Sequence, residues 1–410
     1  MRSNRFSLIV AVAAIIFGTG LGAQEQTGED FDPFDVSAFE SGVQVAVESE
    51  DSKPAEYLFG ATFVPSSTAF ASQGFGGYLA SGSISGKAFA KLSSQKYGSI
   101  FVSYGFSHQV FQSRGGDVPA LAAPAKDLFS PTFTLAELHY SFDIAKVLFF
   151  RIGNQLIAWG PSRIWTPVDF VNPQKMDSFQ AIDTRAGRPS ARLHLPLESS
   201  NLFAFADFSN TVASGTVRDL FQYVNLGLRY DIAFGGFEFG ITGYGGMNAQ
   251  LRAGIDFSGR ILGATAYGEA AFLPAYDSYA FSWSASLGLE RKLGQLRKAT
   301  LSAEVFYNSL GEDDESDYSA LVAAKAFSPM YVGKFYAYAG LALDDFLSPD
   351  LSTAISITAN LSDGSFSLRL AENFDFRDMP PFSLILGWTG GGEDRKSTRL
   401  TSSHRIRPRM

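Results

Sequence analysis

Apolar and polar residues alternate with a period of two along much of the chain. From Phe281 to Lys292, the set Phe281, Trp283, Ala285, Leu287 and Leu289 alternates with Ser282, Ser284, Ser286, Gly288 and Glu290. The stretch from Gln222 to Ile232 repeats the pattern, with Val224, Leu226, Leu228, Tyr230 and Ile232 set against Asn225, Gly227, Arg229 and Asp231. Successive side chains of a strand point to opposite faces, so each stretch has one face for hydrocarbon and one for water. The alternation predicts eighteen strands, at 57–64, 78–92, 97–109, 132–142, 147–158, 189–197, 202–209, 222–232, 237–245, 251–257, 261–272, 281–293, 299–308, 320–327, 335–343, 353–361, 365–373 and 382–389, with sixteen as the alternative count.

The connections between these strands differ in length by parity. The stretches 110–131, 159–188, 210–221, 309–319 and 344–352 fill odd gaps, whereas the short pieces 93–96, 143–146, 198–201, 234–236 and 362–364 fill even ones. An up-and-down barrel puts all odd gaps on one rim, so this order predicts one long-looped rim and one tight-turned rim. That asymmetry belongs to outer-membrane barrels; nothing in the physics of a soluble sandwich sorts its loops this way. The fold expected is therefore all-β: an antiparallel up-and-down transmembrane β-barrel of about 16–18 strands over residues 57–393. Past the N-terminal leader, no stretch has the roughly eighteen continuous apolar residues that a spanning helix needs.

Both ends read differently from the middle. Arg2 and Arg5 precede the apolar run Leu8 to Phe17, and Gly20, Leu21, Gly22 and Ala23 form a small-residue cleavage site, so residues 1–23 read as a signal peptide. Residues 24–56 are acidic and irregular and read as a periplasmic lead-in that rests as a solvated arm or enters the lumen. From Asp394 the chain resembles the translation of a sequencing-library adapter, which makes residues 394–410 a non-native tail. Without that tail and the two leader arginines, the 33 basic residues fall to 25 and the 41 acidic ones to 40, a net charge near −15. Such a balance argues against nucleic acid as a partner. Aromatics reach 14% while charged residues are only 18%, as suits strands with one face in lipid. There is no Cys, which removes disulfides and a Cys-linked lipid anchor.

One connection stands out. The strand 147–158 sets Arg151 and Gln155 on its polar face and then runs into "WGPSRIWTPVDFVNPQ", 159–174. Pro161, Pro167 and Pro173 prevent regular structure there. Trp159, Trp165 and Phe170 are too apolar to leave in water, so the loop is expected to fold inward. The candidate constriction and anchoring residues are Trp159, Arg163, Trp165, Asp169, Asn172, Lys175, Arg185 and Arg188, together with Arg192, Asp177 and Asp183. Opposed charges on a narrowed passage would set up a transverse field that filters solutes. Paired with one another, the same charges would instead lock the loop to the wall. The candidate lumen-facing residues are Arg151, Gln155, Asn225, Arg229, Asp231 and Glu290.

The pieces "IGNQLIAWG", "TPVDFVNPQ" and "DTRAGRPSARLHLPL", spanning 152–197, resemble a motif of poorly characterised Gram-negative outer-membrane barrels. In that motif a Gly-Gln strand ends in Trp-Gly, a Pro-x-Asp-x-x-Asn-Pro loop follows, and Gly-x-Pro leads into the next strand. The general character also resembles spirochaetal outer-membrane proteins. The resemblance implies an outer-membrane barrel but no particular substrate. This chain has Asn154-Gln155 where the family often has Arg-Gln, so an Arg contact is not carried over.

Catalytic chemistry finds little footing. Outside the tail His108, His139 and His194 fall on three different strands without a second ligand at metal spacing, and His139 near Ser141 is the sole nucleophile-and-base hint. The acidic run Gly311 to Asp317 lacks the spacing of a Ca²⁺ loop, and "GFGGY" and "GYGGM" are not followed by a helix that would cradle phosphate. No cofactor, metal or enzymatic activity is expected. A barrel of this size encloses water, so the leading expectation is a porin-like channel for passive passage of small hydrophilic solutes. Outer-membrane lipid and the barrel-assembly machinery would be its partners. The alternatives are a plugged barrel that transports apolar ligands and a surface adhesin acting through external loops.

Overall fold

The computed structural model describes residues 10–12, 56–71, 77–94, 96–116, 130–172, 185–214, 223–247, 249–275, 280–294, 298–313, 332–374 and 382–390. They form one sheet. A three-residue strand, β1 (Val10–Val12), is followed by seventeen longer ones. The first of these are β2 (Glu56–Ala71), β3 (Gly77–Ser94), β4 (Gly98–Gly116), β5 (Thr132–Ile144), β6 (Leu148–Gln155) and β7 (Arg188–Leu197). Next come β8 (Ser200–Asp207), β9 (Asn225–Phe234), β10 (Phe237–Gly246), β11 (Ala249–Ile261), β12 (Ala264–Leu273) and β13 (Ser282–Leu293). The last are β14 (Lys298–Asn308), β15 (Phe335–Asp344), β16 (Leu351–Asn360), β17 (Ser365–Phe374) and β18 (Phe382–Gly390).

From β2 to β18 each strand pairs antiparallel with the next in the chain. The circle closes at β1, which pairs antiparallel with both β18 and β2 through Ala11 opposite Gly387 and Phe70. β2 and β18 therefore run in the same direction at this seam. A short helix, α1 (Ser209–Ser214), six residues long, follows β8.

Burial is inverted relative to a soluble protein. Along β9 the buried residues are Asn225, Gly227, Arg229 and Asp231, and the exposed ones are Leu226, Leu228, Tyr230 and Ile232. β13 repeats this, with Ser282, Ser286 and Gly288 covered and Trp283, Leu287 and Leu289 uncovered. The outer skin is apolar and the inner wall polar, which is the arrangement for a hydrocarbon surround and an aqueous interior. Aromatic rings gather near both ends of the strands on this skin. Tyr57, Phe59, Tyr97 and Phe234 lie at one rim, and Phe281, Trp283, Tyr307 and Phe335 at the other. Trp283, Tyr307 and Phe335 form a contiguous row, with centroids 4.5 and 4.8 Å apart. Such girdles sit at the membrane–water interfaces.

The turns hold the register. Gly235 and Gly236, and likewise Leu262 and Gly263, all take positive φ (64°, 82°, 51° and 77°), as two-residue hairpins whose twist matches the strands require. The second of these corrects an expectation. Periodicity ends one strand at 257 and starts the next at 261, whereas β11 runs to Ile261 and turns at Leu262–Gly263. The residues Ser258 to Arg260 simply continue the ladder opposite Tyr267 to Thr265.

A second correction concerns the rims. The expected strand 320–327 lies outside the described residues, and β14 pairs directly with β15 through Leu301 opposite Leu341. The whole stretch 309–334 is thus one connection. The parity of every later gap shifts by one: 345–350 joins the tight-turned rim and 361–364 the long-looped rim. The rims keep their contrast elsewhere. The gaps 117–131, 156–187, 208–224 and 309–334 share one rim, while 95–97, 145–147, 198–199, 235–236 and 262–263 share the other. The circumference is also uneven in height. Among the described residues β4 has its last β5 partner at Ser107, yet runs on to Gly116 paired with β3.

Leu228, in the interior of β9 on the outer skin, gives a direct test. Leu228→Arg should cost about 2–4 kcal/mol of folding free energy if that face meets the bilayer midplane. Ser258→Arg, inward and opposite Glu238, should cost about 0.5 kcal/mol or less. Reversible denaturation of the protein refolded in lipid vesicles would measure both.

Candidate functional site

β6 ends in a side-chain clasp. The Gln155 amide donates to the carbonyl oxygens of Arg151 and Ser190, both at 3.3 Å. The Leu156 N–H then donates to Glu137 Oε1 at 3.0 Å. Beyond this point the chain leaves the ladder and lies against the inner wall, where its aromatic residues find cover. Trp159 and Trp165 are 2% and 0% exposed.

Two carboxylates fasten the loop. Glu269 on β12 accepts the Ser162 N–H on one oxygen at 2.8 Å and the Val168 N–H on the other at 3.0 Å. Glu304 on β14 accepts the N–H groups of Arg163, Ile164 and Trp165 at 3.0, 3.2 and 2.8 Å. The Tyr267 hydroxyl also donates to Glu304, at 3.2 Å. Three prolines keep this segment from making a ladder of its own, so its peptide donors need other acceptors. Five of them are met by two charged groups from the wall, each such bond contributing roughly 1.5–3 kcal/mol. Ser162 Oγ and Ser286 Oγ add a hydroxyl pair at 2.7 Å. Gly160 sits at φ +94°, and a Cβ there would collide with the Glu269 carboxyl group, so glycine lets the backbone pass that close.

Apolar packing does the rest. The Trp165 ring stacks on Phe306 with centroids 5.6 Å apart and planes 3° from parallel, and Tyr336 packs against both rings, 5.7 Å from Trp165 and 6.3 Å from Phe306. Trp159 meets Phe205 edge-on at 5.1 Å within a cluster that includes Ile157, Phe170, Val171, Tyr244 and Ala271. The wall is hollowed to receive Val168 and Phe170. A Cβ on Gly254 would lie 2.9 Å from Val168 Cγ1 and 3.2 Å from the Phe170 ring. The loop thus spans inner wall from β8 to β15.

Charged residues mark a level in this wall. Four positions from the long-looped end of their strands stand Arg151 on β6, Arg192 on β7, Arg229 on β9, Glu269 on β12, Glu304 on β14 and Arg369 on β17. The arginines of β6, β7 and β9 are separated from the glutamates of β12 and β14. Arg229 is held by Asp256 through two bonds of 2.6 and 2.9 Å, by Asp231 at 2.8 Å and by Thr242 at 3.0 Å. Nearer the rim, Arg188 pairs with Asp207 at 2.6 Å, and Asp207 also accepts from the Tyr244 hydroxyl at 3.1 Å. Tyr244 in turn accepts from Asn225 at 2.9 Å.

No family model matches the chain, and no curated protein matches its sequence. Among solved structures it is similar to a mutant of the Rh. blastica porin, at 9% identity over 95% of this chain and 99% of that one, with a TM-score of 0.40. It is also similar to Pseudomonas aeruginosa OccD3 (OpdP), at 12% identity over 94% and 91% of the two chains, TM-score 0.40. A third likeness is Pseudomonas aeruginosa OccK5 (OpdH), at 8% identity over 94% and 97%, TM-score 0.42.

Of the residues singled out in sequence, Trp159, Trp165, Asp169 and Asn172 are buried in or beneath the loop. Arg163 is half exposed, 3.9 Å from Glu290 and over the Tyr267 ring at 5.8 Å. Arg185 approaches Asp169 only to 4.0 Å. Arg188 begins β7 rather than lying in the loop, and Lys175, Asp177 and Asp183 lie outside the described residues. Arg151, Gln155, Asn225, Arg229, Asp231 and Glu290 all share the inward face of their strands. Sequence reasoning expected the loop's own charges to lock it. The structure assigns most of that task to Glu269 and Glu304, which look in sequence like ordinary polar-face carboxylates; their one distinguishing mark is an acid on a short-chain or apolar strand, in "YGEAAF" and "SAEVF".

The catalytic hint does not gain geometry. Ser141 Oγ lies 3.5 Å from His139 Nδ1 and accepts from Arg151 Nε at 3.1 Å, while the His139 ring stacks on Phe101. Among the described residues no group of three His, Asp or Glu could hold a metal ion.

Because the chain has no native Cys, the seat of the loop is open to cross-linking. The pair S162C and S286C should form a disulfide in the folded barrel, read as a mobility shift that reductant reverses. Glu304→Gln keeps the shape but loses the charge, and should lower the fraction cross-linked.

Proposed function

We propose that the protein is an outer-membrane channel of porin type that passes small hydrophilic solutes without catalysis. The observation that carries this reading is the inverted burial: apolar side chains cover the outside, while charged and hydroxyl side chains line the interior; side chains do not fill the bore of a barrel with this many strands. Delivery by the barrel-assembly machinery completes the reading, and the motif of 152–197 agrees with it; cleavage of an export signal at residues 1–23 would remove β1 with it and leave β2 and β18 to close the seam.

In this reading the loop after β6 is the constriction element. Trp159 and Trp165 hold it down, and Glu269 and Glu304 fix its path. Arg163, Glu290 and the belt of wall charges then face whatever passes. A loop fastened by five bonds from peptide N–H groups to carboxylates narrows the bore as a fixed ledge rather than a swinging gate. Selection would rest on size and on the charges beside the ledge.

Purified protein in a planar bilayer should give ohmic conductance steps. Deleting residues 161–186 should raise the size of each step. Silence of the intact protein would overturn the channel, and an unchanged step after the deletion would remove the loop from its constriction role.

A further inference from the structure

We infer that Arg252 on β11 anchors a binding site for the carboxylate group of a small solute, near the long-looped mouth of the barrel. This rests on the channel reading and adds a class of solute to it. Arg252 lies three positions from the long-looped end of β11, opposite Tyr244 of β10 in the ladder. Two positions deeper on the same strand is Gly254, the socket that takes Val168 and Phe170, so Arg252 stands just rimward of the seated loop.

Its company is unusual for a part-buried arginine. The guanidinium lies over the Tyr244 ring, 5.7 Å from its centre, and reaches the Phe170 carbonyl oxygen only at 3.5 Å. Among the described residues it has no carboxylate partner, and its Nε is shut away from solvent without an acceptor. The formal charge that does reach it has its own sign and comes from Arg188. A guanidinium cannot escape by losing its proton, and a charge withdrawn from water is costly until an opposite charge meets it. Other arginines of this wall are matched: Arg229 holds Asp231 and Asp256, and Arg188 holds Asp207.

Asp207 is already spent. Its Oδ2 accepts from Arg188 at 2.6 Å and from the Tyr244 hydroxyl at 3.1 Å, and its Oδ1 accepts the Ser209 N–H at 2.9 Å. Arg188, Arg252 and Asp207 together thus carry two positive charges and one negative, a surplus of one. One carboxylate balances that surplus, whereas a phosphate monoester, at about −1.5 to −2, overshoots it. The planar fork of Arg252 also matches two carboxylate oxygens in a bidentate pair. On the loop side Asn172, two residues past Phe170 and 3% exposed, has a side-chain N–H group without an acceptor, a further donor of the kind an oxyanion uses. Tyr244, Phe170 and Val171 belong to one apolar cluster beside it. Small-molecule sites combine such apolar lining with a few placed polar groups.

The test compares acetate with acetamide, which share a shape and differ in charge. Each is titrated into the full chain folded in detergent micelles, and the broadening of its methyl NMR signal is followed. Acetate should bind saturably and acetamide should not. Arg252→Gln should weaken acetate binding by about tenfold or more, while Lys334→Gln on the same rim leaves it unchanged. Should Arg252→Gln fail to assemble, Arg252→Lys keeps the charge, loses the planar fork and should still weaken acetate binding. Equal binding of the two probes, or an Arg252 variant that binds acetate as the wild type does, would overturn the site. Planar-bilayer recordings on the same preparation separate the two readings. Conductance without acetate binding removes the site alone, and acetate binding without conductance removes the channel alone.

Discussion

Everything in this molecule follows from where its peptide groups find their hydrogen bonds. A chain that turns Leu, Ile and Phe outward cannot condense around them, so the inter-strand ladder has to supply the coherence. In hydrocarbon each unpaired N–H or C=O costs several kcal/mol, which forbids an open edge. The neighbour-to-neighbour order from β2 to β18, joined into a ring through β1 at the seam, answers that demand. The alternation of faces then comes without further cost, since a strand whose backbone is fully paired can present any side chains that match the two media.

The same accounting explains the loop after β6. Inside the barrel it is away from bulk water, and its prolines deny it regular structure. Its peptide donors would be orphaned without acceptors, and Glu269 and Glu304 provide them. The two carboxylates are stabilised by the loop's N–H dipoles in return. The ledge and the wall each satisfy a group that the other could not leave bare.

How far these features were legible in sequence depends on which force set them. Strands such as β9 and β13 could be read almost to the residue, because the alternation of Leu226, Leu228 and Tyr230 with Asn225, Gly227 and Arg229 is imposed by two media at once. The inward course of the loop was legible for the same reason: two tryptophans among prolines need cover. The hairpin at Leu262–Gly263 was not, since Ser258, Gly259 and Arg260 resemble a turn yet serve as well in a ladder, and only the pairing partner decides. The stretch 320–327 has an apolar run of strand length, and sequence carries no sign that β14 and β15 already meet without it. Glu269 and Glu304 escaped because a lone inward carboxylate looks alike whether it faces water or holds a distant peptide; their partners lie more than a hundred positions away.

The uneven height of the circumference reaches beyond the bore. Among the described residues, 108–116 of β4 run beyond the neighbouring β5 paired with β3, a ribbon of roughly 30 Å at the usual rise per residue. It stands like a parapet on one side of the mouth. A bulky macromolecule settling on that surface would be held at a slant, clear of the opening, whereas a sugar-sized molecule would slip behind the parapet unhindered. Sorting by bulk would thus begin outside the pore.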